Sequence, residues 1–423
     1  MRMQQEYQHP RRAHKWHRWI FRYFIVIGIA LVIGGADYYI STIRRTEDGG
    51  QASLLVASST SLVQPAGTLQ AAATGTVSAN YKFGISVGNT LPGLSDADLN
   101  VRLDDMASLS AGWLRFDISW DDIQATSSVS YQWAKPERIV NAAIARQMKL
   151  LPILTYTPKW ARAADCLGGN KCPPVNPSDF ANFAAEAVKH FKINVHAWEV
   201  WNEPNLAQFW QPAANVADYA TLLKAAYPAM KAQDAAATVI TGSLGPTDTA
   251  AGNIAQLEYF DQFYKQGTKS SFDAVGYHPY SFPVRPLYKQ PWNAWTQMND
   301  TKPSLRSIMA ANGDSAKKIW ITDFGAPTGG PGAVATLASY NLSQYPTHVD
   351  EQLQAQILID GVGAVPKLLW AGPLFWYSYK DAGTDPSTIE NFFGLLRFDG
   401  SRKPAYDAVI SLLHPATTTA AVQ

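Results

Sequence analysis

Charge is scarce in this chain of 423 residues. Asp, Glu, Lys and Arg make up 16% of it and hydrophobic residues 47%, so general disorder is excluded and a sizeable core is available. Cysteine is scarcer, with only Cys166 and Cys172. Two cysteines exclude a disulfide-framed mini-domain, and their spacing alone cannot supply the ligands of a structural metal site. No internal repeat is present, which excludes solenoids and propellers. No dinucleotide fingerprint is present either. The glycine-rich stretch Thr328 to Gly332 follows a strand pattern but opens no clear helix, so it reads as a loop and no cofactor is expected. Basic excess is confined to one end. Eight of the 35 Lys/Arg and four of the 34 Asp/Glu fall in residues 1–48, which leaves the remainder at −3. A mildly acidic body is not the footprint of a nucleic-acid binder.

The basic end reads as membrane targeting. Arg11, Arg12, Lys15, Arg18 and Arg22 precede the uncharged run Tyr23 to Ala36. With Trp19 to Phe21 the run reaches about 18 residues if Arg22 snorkels. Cations on the N-terminal side place that end in the cytoplasm. We therefore expect a basic cytoplasmic tail over 1–18, a transmembrane signal anchor over 19–40 and a flexible linker over 41–79. A folded domain over 80–415 and a short disordered tail over 416–423 follow. This organisation implies a single-pass protein of a bacterial inner membrane with its folded domain periplasmic or extracellular. The alternative is a cleaved signal peptide with a small-residue site at Gly34-Gly35-Ala36, and a secreted domain. In an exported domain, Cys166 and Cys172 are expected to form a local disulfide, with two free thiols as the alternative.

Between residues 80 and 415, apolar runs alternate with Ala-rich helical stretches, the pattern of βα units and a parallel sheet. Eight runs qualify as strands. They begin at Lys82, Trp113, Leu150, His196, Thr238, Phe272, Lys318 and Pro373. The expected fold is α/β, a (β/α)8 TIM barrel. A helix is expected near 177–191, capped by Ser178, with Phe180, Phe183, Ala184 and Val188 on one face. The stretch 281–301, rich in Pro and Trp, reads as an insertion over the barrel mouth.

The chemistry concentrates at strand ends. The fourth run closes on Trp201-Asn202-Glu203-Pro204-Asn205, where a carboxylate and an amide meet a proline that cannot continue a ladder. By strand alternation Glu199, Trp201 and Glu203 share a side, with Glu199 roughly 13 Å below Glu203. Glu199 reads as a buried partner for a cation such as Arg115, and Glu203 as the group at the mouth. The seventh run ends in Thr322-Asp323-Phe324-Gly325, again presenting a carboxylate. A pair of carboxylates is what glycoside hydrolysis requires, one to protonate the leaving oxygen and one to attack or to activate water. Of the 14 Trp, Trp198 and Trp320 have outward parity and read as core. Trp160, Trp201, Trp210, Trp292 and Trp295 are candidates for stacking on sugar faces.

These motifs, with Tyr277-His278-Pro279-Tyr280 and the stretch Gly394 to Tyr406, resemble the clan A glycoside hydrolases over about residues 80–413. The chain looks most like glycoside hydrolase family 39, in layout like bacterial members tied to exopolysaccharide production. The resemblance implies a retaining hydrolase of β-linked polysaccharide or oligosaccharide, with Glu203 as acid/base and Asp323 in the nucleophile position. It further implies that Arg115 holds the nucleophile ionised and that Asn202 binds the sugar 2-hydroxyl. His278 and Tyr280 would contact substrate and nucleophile, and Trp376 would floor the sugar subsite. The family places Glu where Asp323 stands. Three readings of that departure stay open. Asp323 works as nucleophile, Glu390 or Asp381 replaces it, or the barrel binds polysaccharide without hydrolysing it.

Overall fold

Eight apolar runs pair as parallel strands and close on themselves. They are β1 (Phe83–Ser86), β2 (Trp113–Ser119), β3 (Lys149–Thr155), β4 (Ala197–Asn202), β5 (Thr238–Ser243), β6 (Ala274–Tyr277), β7 (Lys318–Phe324) and β8 (Ala371–Tyr377). Round the barrel the order is β1-β8-β7-β6-β5-β4-β3-β2, so every strand lies beside its neighbours in sequence. That order is the one repeated right-handed βα units produce. The computed structural model describes residues 82–338 and 342–414. The expected tail, anchor and linker over 1–79 and the tail over 416–423 lie outside the described residues. Among the described residues, no helix is long and apolar enough to cross a membrane.

The connecting helices are α1 (Asp96–Ser108), α2 (Ala134–Ile144), α3 (Pro177–Phe191), α4 (Val216–Gln233), α5 (Gln256–Lys265), α6 (Leu305–Ala311), α7 (Glu351–Ala364) and α8 (Pro404–Leu413). Short polar side chains start several of them. Asp350 Oδ1 accepts from Leu353 N at 2.7 Å at the start of α7, and Ser304 and Ser307 form a reciprocal capping box on α6. The cap of α3 differs from the sequence expectation. Asn176, not Ser178, is the N-cap, and its Oδ1 accepts from Ser178 N at 3.2 Å. Pro177 occupies the first helical position, where its missing N–H costs nothing. Phe180, Phe183, Ala184 and Val188 are buried on the face expected.

Leu151, Ala197, Ile240, Ala274 and Phe375 fill the lower barrel, and Trp113 and Trp320 pack against them. The two indoles meet edge to face at 5.2 Å. Trp320 therefore points inward, against the outward parity read from the sequence. The reason is a bulge. Leu374 pairs with Ile321 and Trp376 with Phe324, so three steps on β7 oppose two on β8. An extra residue inverts the alternation below it. Trp320, Thr322 and Asp323 consequently all turn inward, while Ile321 and Phe324 join the helix-facing core.

Candidate active site

The upper end of β4 departs from regular strand. Trp201 has φ +75° and Glu203 φ +42°, left-handed values that non-glycine residues seldom hold. Backbone strain of this kind concentrates at functional positions. It also corrects the simple alternation. Trp201 does not share a side with Glu199 but turns to the helices, with its ring 6.1 Å from Phe180 of α3 and 5.4 Å from Tyr156. Asn202 turns inward instead, where its Oδ1 accepts from Arg115 Nη2 at 3.0 Å.

Arg115, on β2 and 1% exposed, organises the barrel below the mouth. Its Nε donates to Glu199 Oε2 at 2.8 Å and its Nη2 to Glu199 Oε1 at 3.0 Å. Its Nη1 lies 2.8 Å from Asp323 Oδ1 and donates to Ser86 Oγ at 3.1 Å. Burial works against the charge on Arg115, but Asp323 and Glu199 outweigh it and raise the guanidinium pKa. Glu199 is the structural partner expected, and Ser243 Oγ adds a donor to its Oε1 at 2.6 Å.

Glu203 sits at the mouth, 9% exposed. His278, just past β6, places Nδ1 2.7 Å from Glu203 Oε1 and Nε2 3.6 Å from Asp323 Oδ2. Arg115 can only donate, and its Nη2 approaches His278 Nε2 at 3.4 Å. That contact assigns the ring proton to Nδ1, which donates to Glu203. One imidazole thus links the two strand-end carboxylates, and one guanidinium holds the second of them.

The last residue of the β4 motif has a role that the sequence reading did not assign. Asn205 Nδ2 donates to the carbonyls of Gly245 and Ile254, at 2.8 and 3.0 Å, and its Oδ1 accepts from Gly245 N at 3.0 Å. Gly245 is clamped where a Cβ would lie 2.6 Å from Glu203 Oε1. The missing side chain is the space that Glu203 uses. Gly245→Ala is expected to displace the carboxyl and lower kcat/KM by about 10²-fold, the usual result of misplacing a reacting group by about 1 Å. Steady-state kinetics beside a thermal melt checks this. Wild-type kinetics would refute it.

Three comparisons bear on this geometry. A family model described as a glycosyl hydrolase catalytic core matches residues 169–356, a span that includes Glu203, His278 and Asp323. Over that span the chain resembles a glycosyl hydrolase catalytic core. A β-xylosidase of Geobacillus stearothermophilus is 28% identical over 115 residues, 25% of this chain and 23% of that one. Similar solved structures include a family 39 glycoside hydrolase from the gut symbiont Bacteroides cellulosilyticus WH2 (TM-score 0.60, 22% identity, 80% of this chain and 65% of that one). Another is a monomeric β-xylosidase from Caulobacter crescentus CB15 (TM-score 0.55, 20% identity, 78% of this chain and 67% of that one). The chain thus spans less than two thirds of the first of these structures and under a quarter of the curated xylosidase.

The barrel does not bring every expected residue to its mouth. Trp376 is fully buried and faces the helices, 5.8 Å from Phe324, because Phe375 below it points into the barrel. Tyr377 takes the mouth position, where burial and the nearby charge of Asp323 raise its phenol pKa. Tyr280 stands beside it, edge-on to His278 at 6.1 Å and to Phe393 at 5.9 Å. Burial and Asp323 push its phenol up as well. Trp160 packs edge-on to Trp120 at 5.6 Å and donates Nε1 to Gln124 O at 2.7 Å, so its ring serves the core. Trp210 is buried, Trp295 packs on Phe324 at 5.0 Å, and only Trp292 of the insertion stays 40% exposed. The insertion is tied to α7 by Arg285, which donates to both oxygens of Asp360 at 2.5 and 2.8 Å.

Neither substitute carboxylate joins the centre. Asp381 is spent on Lys403 at 2.7 Å and on Gly394 N at 2.8 Å, and Glu390 is exposed on a short helical turn after β8. Cys166 and Cys172 are joined by a disulfide, S–S 1.97 Å. Among the described residues no group of His, Cys, Asp and Glu could hold a metal ion. A cavity of about 620 Å³ opens at the opposite end of the barrel between Trp113, Lys149, Trp320 and Lys82. None of the candidate site residues lines it, and that end of such barrels serves stability.

Proposed function

We propose that the protein is a retaining β-glycosidase acting through a covalent glycosyl-enzyme. The observation that carries this reading is the single imidazole of His278, which reaches both Glu203 and Asp323. The shared ring brings both carboxylates to one mouth, and the resemblance of Trp201 to Asn205 to the retaining clan A hydrolases supports retention over inversion. Glu203 Oε1 is occupied by His278, so Oε2 gives the proton to the leaving oxygen. Asp323 Oδ1 is held by Arg115, so Oδ2 attacks the anomeric carbon. Water then cleaves the glycosyl ester, and Glu203 takes its proton. Asn202 has its Oδ1 fixed by Arg115, which aims the amide to donate to the sugar 2-hydroxyl. Asp is one methylene shorter than the Glu of the family, and the β7 bulge supports its reach by turning its carboxyl inward onto Arg115.

The substrate in this reading is a β-linked polysaccharide or oligosaccharide, such as a secreted exopolysaccharide. The xylosidase relatives make aryl β-xylosides the first substrates to try. The same reading anchors the barrel outside the cytoplasmic membrane, supported by the Cys166–Cys172 disulfide and by the basic-then-apolar sequence up to Ala36. The short nucleophile supports a second reading, a polysaccharide-binding barrel without turnover. Proton NMR of products released from aryl β-glycosides by the full-length protein separates them. The β-anomer formed first supports retention, and the α-anomer formed first refutes it. Binding without hydrolysis, with activity restored in Asp323→Glu, supports the second reading.

A further inference from the structure

Two charged side chains stand beside the catalytic groups without hydrogen-bond partners of their own. Asp117 lies two residues above Arg115 on β2 and shares its inward side, at the mouth. Lys171 comes from the loop closed by the Cys166–Cys172 disulfide, and its Nζ lies 2.9 Å from the centre of the Tyr156 ring. That loop is tied to the mouth from two sides. Asn170 O accepts from Thr157 N at 3.0 Å, just past β3, and Lys171 O accepts from Gln211 N at 3.1 Å, past β4. Neither the Asp117 carboxylate nor the Lys171 ammonium makes a hydrogen bond or an ion pair within 4 Å among the described residues. Both are half-buried.

We infer that Asp117 and Lys171 clamp adjacent hydroxyls of a neutral sugar held against Glu203 and Asp323, and that they reject uronic acids. The inference rests on the glycosidase reading and adds the substrate class. A half-buried anion without donors and a half-buried cation without acceptors carry an uncompensated desolvation cost. A sugar diol answers both at once, since each hydroxyl donates and accepts. Burial accordingly pushes the Asp117 carboxyl up to about 6 and the Lys171 ammonium down to about 8. The charge of each acts on the other, and Asp323 and Glu199 act on Asp117 too. Charge decides against a uronate. Among the described residues Glu199, Asp323 and Asp117 face Arg115 and Lys171, three anions against two cations, so a substrate carboxylate would enter a site already in anionic excess.

The test uses full-length protein with para-nitrophenyl β-glucoside, β-xyloside and β-glucuronide. Wild type is expected to prefer a neutral glycoside. Asp117→Asn and Lys171→Met are each expected to lower kcat/KM on it by about 10- to 100-fold, the size of one or two charge-assisted hydrogen bonds. The same glycoside binding to Glu203→Gln, followed by calorimetry, is expected to weaken by a similar factor when either change is added. Unchanged kcat/KM and binding in both variants, or preference for the glucuronide, overturns the clamp. Binding that depends on Asp117 and Lys171 in a protein that never hydrolyses leaves the clamp standing and overturns the hydrolase reading alone. A wild type that neither hydrolyses nor binds any of the three overturns both.

Discussion

Glu203→Gln is expected to lower kcat by about 10²- to 10⁴-fold on a phenyl β-glycoside, the range of general acid–base assistance. The amide keeps the size of the side chain and can still accept from His278 Nδ1, now 2.7 Å from Oε1, so the fold has no reason to change. The proton is what goes missing. A phenolate leaves poorly unless protonated, so the first step carries the full loss. A dinitrophenolate leaves without help, so the loss on that substrate shifts to the second step, where Glu203 would otherwise take the proton of the attacking water. Pre-steady-state measurement on the two substrates is therefore expected to show a slow first step with the phenyl compound and a burst with the dinitrophenyl one. Wild-type turnover of the phenyl glycoside would remove Glu203 from the acid role.

Arg115→Met is expected to cost about 3–5 kcal/mol of stability, the usual result of stripping the partner from a buried ion pair. Glu199 is fully buried and Asp323 7% exposed, and both take their cation from this guanidinium. Removing it leaves two carboxylates in a low-dielectric barrel and frees the Asn202 and Ser86 side chains that it holds. Urea unfolding checks the magnitude. Adding Glu199→Gln is expected to return part of the loss, because one of the two stranded charges is then gone. Stability equal to wild type in Arg115→Met would show that water or a rearrangement replaces the guanidinium. Activity is expected to fall in either variant, since Asp323 loses the group that favours its ionised form.

Both expectations involve residues that were legible before the fold was known. An apolar run that stops at a carboxylate followed by proline marks a strand mouth in any parallel barrel, which is why Glu203 and the eight strands could be read in order. Arg115 and Glu199 were legible for a related reason, since charges inside a strand must find each other. What alternation alone could not reveal are the places where it breaks. The left-handed residues Trp201 and Glu203 and the bulge on β7 are backbone irregularities with no periodic signature. They reversed the expected sides of Trp201 and Trp320. On β8, where register also shifts, they left Trp376 among the helices with Tyr377 at the mouth.

By itself, then, the sequence determined the barrel, the strand that carries Glu203, the disulfide loop as a local unit and the candidate pair of carboxylates. These follow from local pattern and from the chemistry of single side chains. Only the tertiary structure decided that His278 links the two carboxylates, that Asn205 clamps Gly245 beneath Glu203, and that Lys171 reaches the mouth near Asp117. Each of these joins residues some 40 or more positions apart. Closing a barrel sets such distances through register and bulges, and no pattern within one strand carries that information.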